Sequence, residues 1–349
     1  MIVVLFNIGI SGGAGKVMIN LARAFVEQGV ETHIISFKES QYKIPVNIFF
    51  HKIEKSKKVE RTLKEKLNEI NNFDVVFSNS TPSNKILSKL NLKNSIHIVH
   101  SAETKNYKGA LGKIKTLIRK KKYQKLYSNK NLITVSKGLE NFILRELKAK
   151  PKAIKTIYNP FDFYEIKRLA EEENENIPNE LFIVHVARLD ITQKRHDILL
   201  EAYKRADLPY KLYLIGEGND REKIKKIIED LDLNKKVELL GFSPNPYPWI
   251  KEAKLLLLSS DFEGFGLVLV EALSLKTPVV STDSKEGPKE ILKGDLANFL
   301  VPTGDIEALA KKIREAIENY PDLNEVDFSY LEFKSVVKEY INYIERILK

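Results

Sequence analysis

Apolar residues along this chain gather in short runs, and between the runs they recur at helical spacing. Residues 1–8, MIVVLFNI, form a nearly unbroken apolar run; a glycine cluster follows, then Val17, Leu21, Ala22 and Phe25 at helical spacing, Gly29 as a stop, and a second run at 32–37. That order predicts strand, helix and strand in one βαβ unit. Further runs at 73–77, 95–100, 132–135 and 154–158 alternate with helical stretches, so the first half predicts an open, mostly parallel sheet. The character changes after Asn159-Pro160. Residues 165–180 are acidic, hold no aromatic residue, and carry Pro178 near their end, as a linker or a surface helix leading out of a domain would. The rhythm then restarts, with runs at 181–187, 211–215, 237–240, 255–258 and 278–281. No sequence repeat accompanies it, only the same local grammar used twice. The expected fold class is α/β: two doubly wound domains, at 1–160 and 181–328, joined by a linker at 161–180, with a cleft between their strand carboxyl ends. In the final stretch, 329–349, Leu331, Val336, Val337, Tyr340, Ile344 and Ile347 share one side of a helix. That helix is expected to cross the domain junction back to the first domain.

A length of 349 residues favours two cores over one, which agrees with the restart. The absence of cysteine excludes disulfides, thiolate catalysis and cysteine-bound metal centres, and six scattered histidines form no HExxH-like pair. No metal site is expected. No apolar run approaches the roughly 18–20 residues of a bilayer span, and the opening run is too short and uncharged for a signal peptide, so a cytoplasmic protein is expected. The net charge of +10 is uneven: +15 over residues 1–177 against −5 over 178–349. Residues 105–130 contain ten Lys or Arg and no acid, with Leu111, Ile114, Leu117 and Ile118 at helical spacing. A helix resting on an anionic membrane surface has this pattern, and an ordinary solvated face is the plain alternative. Nucleic acid is not an expected partner, because the only interleaved aromatics are Tyr107, Tyr123 and Tyr127 and no recognition fold surrounds them.

Two segments carry candidate chemistry. The glycine cluster at 11–16 (SGGAGK) follows a strand and opens a helix, where backbone N–H groups accept a phosphate or a sugar hydroxyl; a tight turn with no ligand would look the same. It is not a Walker A loop, since Ile10 and Val17 stand where Gly and Ser or Thr are required, and it fails the dinucleotide fingerprint on spacing. The second segment is 259–273, SSDFEGFGLVLVEAL. Its glycines permit a turn that brings Glu263 and Glu271 to one rim. One carboxylate there can accept ribose hydroxyls, and the other can hold a sugar hydroxyl or steady positive charge at an anomeric carbon.

The spacing of Glu263 and Glu271 within EGFGLVLVEAL resembles the signature of the family-4 retaining glycosyltransferases of GT-B fold. Arg188 and Lys194, in HVARLD and QKR, match the family's diphosphate-binding Arg and Lys. Gly216, in Gly216-Glu217-Gly218, matches its G-x-G loop, and Phe242, after Gly241, lies in the loop beside the nucleobase. Gly12 and Gly13 match its glycine loop, and His100 its sugar-contacting histidine. The resemblance implies that Phe265, Gly266 and Leu267 offer the diphosphate a backbone turn, and that Glu263 and Glu271 serve the sugar nucleotide. Residues 281–292 resemble the stretch found in transferases that use UDP-hexoses or UDP-N-acetylhexosamines, so a UDP-sugar is the implied donor, with no tightly bound cofactor and no metal. Also implied are retention of anomeric configuration, an acceptor that is a glycan or lipid-linked, and a peripheral place on the inner face of the cytoplasmic membrane. The sequence departs from the family at Gly15, where an acidic residue is usual, at Arg195, where Gly is usual, and at Pro160-Phe161, which replace Gly-Val. Rival readings are a UDP-sugar 2-epimerase of the same architecture and a non-catalytic partner subunit.

Overall fold

Strands of a parallel sheet are covered on both faces and need continuous apolar runs rather than alternation. The chain supplies them: Val3, Val4, Leu5 and Phe6 are completely buried, and so are Leu255, Leu256 and Leu257. The structure is a computed structural model that describes residues 1–55, 58–101, 110–284 and 287–349, with the side chains of 110–113 outside the description. Residues 105–109 of the basic stretch, with Tyr107, and Lys285 and Glu286 of the 281–292 segment therefore lie outside the described residues.

The chain divides into two compact units, Met1–Phe161 with Ser329–Lys349, and Asp162–Phe328. The first holds seven parallel strands: β1 (Ile2–Asn7), β2 (Glu31–Ser36), β3 (Phe49–Lys52), β4 (Val75–Ser78), β5 (Ser95–Val99), β6 (Asn131–Thr134) and β7 (Ala153–Thr156). Their spatial order is β3-β2-β1-β4-β5-β6-β7. The second holds six: β8 (Phe182–Val186), β9 (Lys211–Ile215), β10 (Val237–Gly241), β11 (Leu255–Leu258), β12 (Val279–Thr282) and β13 (Leu300–Val301), in the order β10-β9-β8-β11-β12-β13. In each sheet the chain starts near the middle, winds to one edge and returns to fill the other. The direction of winding reverses between β1 and β4 in one unit and between β8 and β11 in the other, and loops leaving strand carboxyl ends part there to open a crevice.

Two strands lie outside the runs read from the sequence. β3 is an edge strand paired only with β2, with Phe49 exposed, and β13 has only two residues. Residues Phe163–Ala170 form an amphipathic helix whose N-terminus is capped by Asp162, its Oδ1 accepting from the Glu165 amide at 2.9 Å. The buried Ile166 and Ala170 belong to the face that meets the helix Tyr247–Glu252 in the second unit. The terminal helix, Phe333–Leu348, packs on the helix Gly12–Glu27 in the first unit. Its Tyr340 ring meets Phe25 and Phe77 edge-on, with centroids 5.9 and 5.8 Å away.

Candidate active site

In the second unit, the loops that leave β8 and β11 meet at the point of reversal. Asp190 caps the short helix Ile191–Lys194, its Oδ1 accepting from the amides of Thr192 and Gln193 at 3.0 and 3.2 Å. That turn aims Lys194 at the β11 loop, where its Nζ donates to Glu263 Oε1 at 2.5 Å; the two side chains are only 16% and 11% exposed. Ser260 Oγ donates to the same oxygen at 2.6 Å. Arg188, 61% exposed, donates through Nη2 to Asp190 Oδ2 at 3.0 Å and to Gln193 Oε1 at 2.9 Å, and Gln193 Nε2 donates to the Phe262 carbonyl at 3.2 Å. Gln193 thus links the exposed guanidinium to the segment carrying Glu263. Two ion pairs result, Lys194 with Glu263 nearly out of solvent and Arg188 with Asp190 open to it.

Arg195 accounts for one departure from the family pattern. Its backbone is left-handed, with φ 51° and ψ 51°, a conformation that costs a non-glycine residue about 1–2 kcal/mol. The guanidinium makes charge-assisted bonds that offset this cost: Nη1 donates to both carboxylate oxygens of Asp261 at 3.0 Å, and Nη2 to Asp197 at 2.9 Å. The Asp261 amide also donates to the Gln193 carbonyl at 2.9 Å, and Ser259 Oγ to the Lys194 carbonyl at 2.7 Å. The loop bearing Lys194 and the loop bearing Glu263 are therefore stitched together by main chain and side chain alike. Beneath them lie His185 and His196, completely buried, with ring centroids 4.9 Å apart. Burial pushes their pKa values down to about 4 and about 2, so neither adds positive charge at neutral pH.

Gly266 follows with φ 97°, a left-handed value that a side chain would strain, and it turns the chain into the helix Leu267–Ser274. Phe265 is buried just before this turn, and Leu267 begins the helix. Amides that open a helix are suited to an anion. Glu271 is buried within that helix, and Tyr247 donates its hydroxyl to Oε1 at 3.3 Å. Gly216 follows β9 directly, its amide donating to the Gly241 carbonyl at 2.7 Å, and Phe242 is exposed after β10. Gly216 and Phe242 lie directly after strands of the second sheet, Gly266 turns the loop that leaves β11, and Glu271 lies in the helix that follows that loop. Gln193 and Ser260 stand inside the QKR and SSDFEG segments, yet the sequence does not reveal their hydrogen bonds, whereas Tyr247 belongs to no motif and reaches Glu271 across 24 positions.

The remaining candidates belong to the first unit. Gly12 and Gly13 open the helix Gly12–Glu27 after β1, and the Tyr42 hydroxyl donates to the Gly12 carbonyl at 2.9 Å. At Gly15 a Cβ would sit 2.7 Å from the Ile10 carbonyl carbon, so the acidic residue usual at this position has no room. His100 follows β5, half-buried, with Nε2 at 2.8 Å from Asn79 Oδ1. Among the described residues, no group of three or more His, Cys, Asp or Glu is arranged to hold a metal ion.

Two family models match in succession: Glycosyltransferase Family 4 over residues 11–164 and Glycosyl transferases group 1 over residues 167–327. The chain belongs to the family-4 glycosyltransferases. Among curated relatives it is 32% identical, over 206 residues, to the N-acetylgalactosamine-N,N'-diacetylbacillosaminyl-diphospho-undecaprenol 4-alpha-N-acetylgalactosaminyltransferase of Campylobacter jejuni, covering 58% of this chain and 55% of that one. The chain spans about half the length, or less, of the curated relatives that it matches at 30% identity or more. Among solved structures it is similar to a glycosyltransferase of Rickettsia africae, at TM-score 0.75 and 17% identity over 100% of this chain and 98% of that one. It is also similar to the Anabaena protein HepE in complex with UDP-glucose, at TM-score 0.73 and 18% identity over 99% and 98%. Two Rossmann-like domains with parallel sheets, as in GT-B glycosyltransferases, are thus the fold of this chain, as the sequence predicts.

Proposed function

We propose that this chain is a retaining glycosyltransferase that moves a hexose or N-acetylhexosamine from a UDP-sugar to a hydroxyl of a lipid-linked or polysaccharide acceptor in cell-surface glycan synthesis. The observation that carries the reading is the Lys194–Glu263 pair, with Arg188 tied to it through Gln193, at the β8/β11 reversal. A sugar nucleotide leaves with negative charge growing on its diphosphate while the anomeric carbon becomes cationic. Arg188 and Lys194 neutralise the first charge, aided by the turn at Phe265, Gly266 and Leu267. Glu263 holds the sugar and Glu271 the ribose, while Gly216 and Phe242 border the nucleotide. From the first unit, Gly12, Gly13 and His100 serve the sugar and the acceptor. The departing phosphate takes the acceptor's proton, so no protein base is required, and cationic side chains do the work of a metal ion.

The Campylobacter relative's name specifies an undecaprenol-linked acceptor, and HepE binds UDP-glucose; both support the substrate classes proposed. A membrane-bound acceptor also fits the helix Ala110–Tyr127. Ile114, Leu117 and Ile118 are 55%, 56% and 50% exposed among basic residues, while Tyr123 and Tyr127 are buried. We assign this face to an anionic membrane surface, with the protein peripheral on the inner side of the cytoplasmic membrane.

Incubating the chain with a panel of UDP-sugars, with and without a lipid-linked acceptor, tests the reading. UDP release and a product of retained configuration are expected, and Lys194→Ala should lower kcat by ~10²–10³-fold with the fold intact. An isomerised sugar nucleotide, or a Lys194→Ala variant as active as the parent, would contradict it.

A further inference from the structure

Asn79 lies immediately after β4, completely buried, and its backbone amide donates to the Phe6 carbonyl on β1 at 3.1 Å. Its side chain spans two elements. Nδ2 is 2.8 Å from the carbonyl oxygen of Ala14, in the first turn of the helix that the glycine loop opens, and Oδ1 is 2.8 Å from His100 Nε2. A carbonyl oxygen can only accept a hydrogen bond, so chemistry requires the amide nitrogen of Asn79 to face Ala14 and its amide oxygen to face His100. The amide oxygen also can only accept, so the imidazole proton must sit on Nε2. Burial keeps the ring neutral at physiological pH by pushing its pKa down to about 4. In that state Nδ1 carries a bare lone pair, and no group among the described residues donates to it.

We infer that Asn79 is a positioning residue that locks His100 in the Nε2–H tautomer, so that Nδ1 accepts a hydrogen bond from a substrate hydroxyl. The inference rests on the reading of His100 as a sugar contact and makes it specific. A hydroxyl or an amide N–H can donate to Nδ1, whereas a carboxylate or phosphate oxygen cannot. The same amide ties the ring to Ala14, so the imidazole and the start of the glycine-loop helix are held in one register. Asn79 carries no local motif. Its position follows from β4 lying between β1 and β5, which brings the end of β4 beside both the glycine loop and His100.

The test is ¹⁵N NMR of the histidine rings in the intact chain, with His100 assigned by its loss in His100→Gln. A ring protonated at Nε2 and bare at Nδ1 is expected at neutral pH, read without any substrate. Asn79→Ala should lose the single-tautomer signature and lower kcat ~10–100-fold with donor KM little changed. Asn79→Asp places a carboxylate against the ring, so His100 should gain its proton at a higher pH than in the parent, and activity should fall as pH drops through that value. A parent ring protonated at Nδ1, or an Asn79→Ala chain with tautomer and kcat unchanged, overturns the assignment even if the chain transfers sugar. A chain that turns over no UDP-sugar overturns the reading on which the assignment rests.

Discussion

Tyr340 and Tyr343 are both buried on one face of the terminal helix, yet their hydroxyls have different surroundings. Tyr343 donates to the Leu132 carbonyl at 2.9 Å, while the Tyr340 hydroxyl has no partner among the described residues. A buried hydroxyl without a partner costs free energy that its ring's packing must offset. Tyr340→Phe should therefore stabilise the first unit by about 1 kcal/mol, and Tyr343→Phe should destabilise it by a similar amount. Urea unfolding of the two variants checks the opposite signs. Single residues differ in the same way in how far the sequence reveals them. Arg188, Lys194, Glu263 and Glu271 stand in motifs short enough to read; Gln193 and Ser260 lie in the same motifs without a role that the sequence reveals, whereas Tyr247 and Asn79 act on partners 21 or more positions away. The Lys194–Glu263 contact spans 69 positions, and only the pairing of β8 with β11 makes it local. Arg195 reads in the sequence as a departure, and only the structure supplies its partners, Asp261 and Asp197.

At the scale of elements, buried strands are legible because continuous apolar runs have few other uses. The runs at 211–215 and 255–258 coincide with β9 and β11 to the residue. β3 escapes because an edge strand is half-solvated and its four residues, FFHK, mix apolar and polar positions, and β13 is too short for any pattern. The acidic composition of 165–180 leaves a linker and a surface helix open, and the structure makes its first part a helix of the second unit, with Ile166 and Ala170 buried. The helix Ala110–Tyr127 has the opposite property: Ile114, Leu117 and Ile118 stay exposed, so periodicity marks a face that none of the described residues covers. Replacing Leu117 and Ile118 with Ser should leave the fold unchanged and weaken sedimentation with anionic vesicles at low salt. Unchanged vesicle binding would remove the membrane assignment.

For the whole molecule, one arrangement recurs. Each unit reverses its winding beside its first strand and carries candidate residues on the segments that leave strand carboxyl ends: Gly12, Gly13 and His100 in one, Arg188, Lys194, Gly216, Phe242 and Glu263 in the other, with Glu271 in the helix after the β11 loop. The second of these crevices is proposed to hold a nucleoside diphosphate between Arg188, Lys194 and the turn at Gly266. Calorimetric titration of UDP into the intact chain and into Arg188→Ala tests this most directly. Saturable binding to the parent is expected, weakened ~10–100-fold by loss of the guanidinium. Absence of UDP binding by the parent, or equal affinity in the two proteins, would contradict it.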